Sequence, residues 1–187
     1  MLEGFATLEG TTNFARKSLA HNENFRKIHD LTLSNVGIGT YLGNPDLETD
    51  IQQKNAIKQS ISHGVNVIDT AINYRAQKSE RTVGKAVSEL IEEGQINRSE
   101  IFVSTKNGYV TNDADIQEDF MAYIMREFGK TGIVKEGDIS AQYNCVTIPF
   151  LEDQLARSQK NLGLDCIDLM YLHNAVEGQP QMSRDEF

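Results

Sequence analysis

The sequence predicts an α/β fold built on a parallel sheet with crossover helices. Three observations carry that prediction. Short apolar runs alternate with longer amphipathic segments along most of the chain, which is the signature of βα units. The segments of helical spacing stop at Gly64, Gly94 and Gly163, the residue type that suits the left-handed position after a helix. Three apolar runs end in a polar residue, at Asp69, Lys106 and His173. Carboxyl ends of parallel strands gather on one face, and that is where sites form. Either an open doubly wound sheet or a closed (β/α)8 barrel satisfies such an alternation, but no glycine-rich phosphate fingerprint follows the first strand to favour the former.

The elements follow in order. Residues 1–30 are polar and weakly patterned, and read as an extension with at most a short helix near Asn13 to Ala20. "LTLSNVGIGTYLG", Leu31 to Gly43, mixes β-branched residues with Gly and predicts a strand or hairpin ending in a strand over Val36 to Thr40. Ile51, Ala56, Ile57 and Ile61 approximate helical spacing, with Thr49 or Asp50 as cap. The strand "VNVIDTA" comes next. A second helix runs from Ser79, its expected cap, to Gly94, with Val83, Ala86, Val87, Leu90 and Ile91 on one face. "IFVSTK", Ile101 to Lys106, is the third strand. Residues 107–148 break the rhythm, and a connection of that length needs structure or function of its own. Ile116, Phe120, Ile124 and Phe128 fall at four-residue intervals and predict a helix there, read as a lid. Pro149 suits the first turn of the next helix, and "CIDLMYLHN" is the fourth strand.

Composition narrows the function. The chain has 187 residues, 39% apolar and 24% charged, enough for a sizeable core. A net charge of -9 argues against nucleic acid. No run approaches a membrane span of about 18 residues, and the N-terminus does not read as a signal peptide. Cys145 and Cys166 fit neither a metal spacing nor a disulfide framework, so no metal and a cytoplasmic setting are expected.

The polar strand ends make a chemical proposition. In "NVIDTAINY" a carboxylate closes an apolar strand and Tyr74 follows five residues later. A free phenol ionises near pH ~10, too high for easy proton donation at neutrality. A cation about 4 Å away is worth about 4 kcal/mol at an effective dielectric near 20, or roughly three decades in acidity. Lys106 can supply that cation, Asp69 can hold it charged, and His173 can orient a carbonyl oxygen or share the proton. Each residue alone has a duller explanation as a cap, packing or solvated group, and His21, His29 and His63 keep that explanation. The joint occurrence at successive strand ends is what carries the reading.

At this point the sequence resembles the aldo/keto reductase family. "GVNVIDTAINYRAQKSERTVGKAV" is similar to the signature around the family's Asp and Tyr, "VSTKNG" to the strand with its Lys, "YLHN" to the strand with its His, and "LSNVGIGTYLG" to its first barrel strand. The resemblance implies the N-terminal half of a (β/α)8 barrel over residues 31–187, with about four parallel strands and an insertion at 107–148. It implies NADPH-dependent reduction of an aldehyde or ketone, with Tyr74 as general acid, Lys106 as the cation beside it, Asp69 as the ion-pair partner and His173 orienting the substrate. Gly39, Thr40, Tyr41 and Asp69 are expected to line the nicotinamide half of the cofactor.

A full barrel runs to about 250 residues, so the chain is expected to be a fragment with weak cofactor binding and little or no turnover. Two other functions compete: a non-catalytic binding subunit of the same fold, and a Schiff-base enzyme using Lys106 as nucleophile.

Overall fold

In the computed structural model, which describes residues 1–179, 183 and 185, four strands form one parallel sheet: β3 (Ile38–Gly39), β4 (Val67–Asp69), β5 (Phe102–Asn107) and β6 (Leu169–Leu172). Helix α2 (Leu47–Ser62) joins β3 to β4, α3 (Lys78–Glu92) joins β4 to β5, and α5 (Ile148–Leu162) precedes β6. Spatial order therefore equals sequence order. Doubly wound sheets reverse their order at a switch point, so this progression is that of a barrel wall.

The helices form because their apolar residues recur on one face, and that face covers the sheet. Ile57 and Ile61 of α2, Val83, Ala86, Val87 and Leu90 of α3, and Leu162 of α5 pack with Ile68, Ile101 and Val103 in one buried cluster. Each such side chain contributes about 1.5–3 kcal/mol on burial. α3 and α5 approach so closely that a Cβ on Gly84 would lie 2.5 Å from the Leu162 carbonyl oxygen. Caps shift slightly from their expected positions. α2 starts earlier, at the Asp46 cap, and α3 begins after Gln77 rather than Ser79.

The first 30 residues depart from the expected weakly structured extension. Leu8–Lys17 form α1, capped by Thr7, whose Oγ1 accepts from the Gly10 N–H at 3.0 Å. Phe14 of α1 enters the main core. β1 (Phe25–Ile28) and β2 (Leu31–Ser34) form an antiparallel hairpin, so the expected boundary at residue 30 falls within its turn. The pattern was weak because α1 buries only Gly10, Thr11 and Phe14; docking decides its structure. Asp168 fastens the segment, accepting from the Ala6 N–H at 2.6 Å and the Val103 N–H at 2.8 Å while pairing with Arg98 at 2.7 Å.

The insertion carries its own core. α4 (Phe120–Ile124) runs into a wider π-helical turn over Met125–Gly129. Tyr123, Ile124 and Phe128 bury against Val110, Cys145 and Phe150 of α5. Arg81 of α3 grips both oxygens of Asp113, at 2.8 and 2.5 Å. The Ala114 N–H donates to the Ala76 carbonyl at 3.1 Å.

Candidate active site

The parallel register levels the strand ends. Gly39 lies opposite Asp69, Asp69 opposite Ser104, and Lys106 opposite Tyr171. Beyond β6 the His173 N–H donates to the Asn107 carbonyl at 2.7 Å, which carries the histidine to the same rim. Tyr74 reaches it from the turn after β4, where the Ile72 N–H donates to the Lys106 carbonyl at 3.3 Å.

The four predicted residues meet. Lys106 Nζ donates to Asp69 Oδ2 at 2.6 Å and to the Thr70 carbonyl at 2.8 Å. The same ammonium sits over the Tyr74 ring, 4.7 Å from its centroid, a cation–π approach. Among the described residues its hydrogen bonds go to Asp69 and Thr70, not to the Tyr74 hydroxyl. The Tyr74 and His173 rings stand edge to face with centroids 5.6 Å apart. Burial, reinforced by the Lys106 charge and opposed by Asp69, pushes the His173 imidazole below its ordinary range. Its Nδ1 is buried without a hydrogen-bond partner among the described residues.

The expected cofactor-lining residues divide. Gly39 is exposed at its strand end, with no atom within 4 Å of where a Cβ would stand. Tyr41 is 66% exposed and packs edge-on against Tyr74 at 5.0 Å. Thr40 is buried: its Oγ1 donates to Thr70 Oγ1 at 2.8 Å, and its carbonyl accepts from Gln53 and Ser79. Its side chain braces β3 against β4.

Three further residues shape the site. Ser104 Oγ donates to Asp69 Oδ1 at 3.0 Å, so Ser104 and Lys106 hold the two carboxylate oxygens. Their two-residue spacing on β5 was the available signal, since alternate strand residues share a face. Tyr109 packs edge-on against His173 at 5.0 Å. Asn144, fully buried, donates to the His173 carbonyl at 3.2 Å. Nothing in sequence spacing marks Asn144, because its role depends on how the insertion returns. A groove of about 460 Å³ runs over the outer helical surface past Ile51, Gly84 and Leu162 and touches none of these groups.

The profile of the aldo/keto reductase family matches residues 35–183, a stretch that holds every one of the converging groups. The chain belongs to the aldo/keto reductase family. Aldo-keto reductase AKR2E4 of Bombyx mori is 28% identical over 155 residues, covering 82% of this chain and 38% of the silkworm protein. The NADH-specific methylglyoxal reductase of Escherichia coli (strain K12) is 29% identical over 149 residues, covering 77% of this chain and 39% of that protein. The chain thus spans about two fifths of the length of these curated relatives. Among solved structures, the holo form of aldo-keto reductase AKR11C1 from Bacillus halodurans matches with a TM-score of 0.56 at 20% identity, over 87% of this chain and 47% of the other. The parallel sheet is accordingly part of the family's (β/α)8 barrel.

Proposed function

We propose that this aldo/keto reductase chain carries the proton-donating half of a site that reduces an aldehyde or ketone to an alcohol with NADPH. The single observation behind the reading is the convergence of Asp69, Tyr74, Lys106 and His173 at one rim. Tyr74 delivers its phenolic proton to the carbonyl oxygen of the substrate. The Lys106 ammonium over the ring stabilises the negative charge left on the phenol. Asp69 and Thr70 aim that ammonium. His173, kept neutral by burial, orients the carbonyl with an N–H donor.

The strand ends fit the nicotinamide portion of the cofactor. Gly39 leaves open space, Tyr41 offers an exposed ring and Asp69 forms the rim beside them, while Thr40 contributes by bracing. Gly39, Tyr41 and Asp69 would hold that portion, and a dinucleotide bound there would supply the hydride. A second reading, Lys106 as a Schiff-base nucleophile, is disfavoured because its donors are engaged by a carboxylate and a carbonyl, which suits a cation. The setting we propose is the cytoplasm, consistent with free thiols at Cys145 and Cys166. The partner is a small carbonyl compound, without nucleic acid or membrane. Among the described residues no helix is long and apolar enough to cross a membrane.

Both edges of the four-stranded sheet are unpaired among the described residues. The test measures oxidation of NADPH, and of NADH in parallel, against a panel of aldehydes and ketones for the wild type and Tyr74→Phe. Loss of the proton donor is expected to lower the rate by about 10²–10⁴. Activity that survives the substitution removes Tyr74 from its role.

A further inference from the structure

Among the buried carboxyl groups that the proposed chemistry does not use, Glu80 lies nearest in the chain to Tyr74 and bonds the strand of Lys106. Glu80, the third residue of α3, is fully buried. A glutamate in the first turn of a helix ordinarily stays in water, where the helix dipole already favours it. Here it turns inward. Oε1 accepts from Thr105 Oγ1 at 2.7 Å and Oε2 accepts from Asn161 Nδ2 at 2.9 Å. Thr105 is itself fully buried and immediately precedes Lys106. Successive strand residues face opposite ways, so the bond grips β5 from behind the residue that carries the ammonium.

The same end of α3 is tied to Tyr74. The chain passes from Tyr74 into the helix through Arg75, Ala76 and Gln77, whose φ angles are 52°, 49° and 74°. Three successive non-glycine residues in the left-handed region are strained, and strain persists only where the surroundings enforce it. Gln77 gives α3 no side-chain cap. Ser79, next to Glu80, donates through Oγ to the Thr40 carbonyl at 2.8 Å, and its N–H donates to the Tyr74 carbonyl at 3.4 Å. Well-packed apolar groups are often as stabilising as buried charge or polarity, so stability alone does not call for a carboxyl here.

We propose that Glu80 is a positioning residue, which locks the strand bearing Lys106 to the helix entered from Tyr74 and so sets the ammonium over the phenol ring. The inference rests on the reading of those two residues as the proton-donating pair. Its test does not use turnover, so the reductase reading, which stands or falls on the Tyr74→Phe comparison, and this one are decided separately. The full chain, with isotope-labelled lysine and tyrosine, is followed by NMR as wild type, Glu80→Gln, Glu80→Met and Thr105→Val. The expected result is faster hydrogen exchange of the Lys106 ammonium in Glu80→Met and Thr105→Val, on the order of tenfold as local protection falls, with displaced Tyr74 ring signals. Glu80→Gln retains an acceptor for Thr105 and is expected to stay near the wild type. Unchanged Lys106 exchange and Tyr74 signals in Glu80→Met, with only a lower melting temperature, overturn the proposal. If Glu80→Met does not fold, Thr105→Val decides in the same way, because it leaves Glu80 in place.

Discussion

Lys106 Nζ and Asp69 Oδ2 lie 2.6 Å apart between neighbouring strands, and the ammonium of that pair covers the Tyr74 ring at 4.7 Å. The two side chains differ in exposure, 17% for Lys106 and 40% for Asp69. A pair open to water on its acidic side is screened, so its importance lies in aim more than in stability.

Asp69→Asn is therefore expected to change folding stability by less than about 1 kcal/mol. It should still release the ammonium from its place over Tyr74. Urea titration measures the first effect. NMR of the Lys106 ammonium and the Tyr74 ring measures the second. A large stability loss with unmoved Lys106 signals contradicts the assignment.

The lowered pKa of His173 gives a pH dependence with a definite sign. Burial is the main cause, with Lys106 adding to it and Asp69 opposing it, and the reference is 6.5. The unfolded chain then binds a proton that the folded chain resists. The stability tied to neutral His173 is complete above 6.5 and is lost as pH falls from there through the folded pKa. NMR titration should give His173 a midpoint below 6.5. A midpoint above that reference contradicts the burial of the imidazole.

The Arg98–Asp168 pair should act on stability much more strongly than the pair at the site. Its side chains are only 6% and 4% exposed, and Asp168 also receives the Ala6 and Val103 N–H groups. Asp168→Ala strands a buried guanidinium and is expected to cost about 3–5 kcal/mol in urea unfolding. Proteolysis should then open the chain first near residues 1–17, since one of their anchors is gone.

The insertion should loosen in acid before the main core does. Its Asp113 carboxyl is opposed by burial, yet hydrogen bonds from Arg81 bring its pKa below the usual range. That of Glu127 is lowered chiefly by the hydrogen bond from Arg157, at 2.8 Å. Such groups stabilise above their unfolded pKa values, and the stabilisation is lost as pH falls through the folded ones. Hydrogen exchange followed by mass spectrometry from neutrality to about pH 3 should show residues 108–147 exposed before β4 and β5. Simultaneous exposure of both regions would count against independent docking.

The edge of β6, unpaired among the described residues, is expected to promote self-association. Tyr171 and Leu172 are about half exposed. Beside them, Ile148, Leu151, Leu155 and Met170 line a groove of about 250 Å³. A lysine on an edge strand discourages edge pairing, so Leu172→Lys should reduce the associated fraction in sedimentation velocity at matched concentration.

Much of the wall could be read from residue order. Alternating apolar runs and helical faces marked β4, β5, β6, α2, α3 and α5, because burial on a sheet imposes periodicities visible in any window. The polar termini Asp69, Lys106 and His173 were visible for the same reason: a charged or polar residue closing an apolar strand interrupts the pattern. Other features depend on contacts between distant residues, which no local window contains. α1 looked weak because its order derives from docking on Asp168 and the core. The bracing hydrogen bond of Thr40 and the inward turn of Glu80 depend on partners 30 and 25 residues away. The placement of Lys106 over the face of Tyr74, and the wall that Tyr109 and Asn144 raise beside His173, follow from strand register and from the path of the insertion. Periodicity records which side of an element meets the core; the distances that make a site are set when separate elements pack.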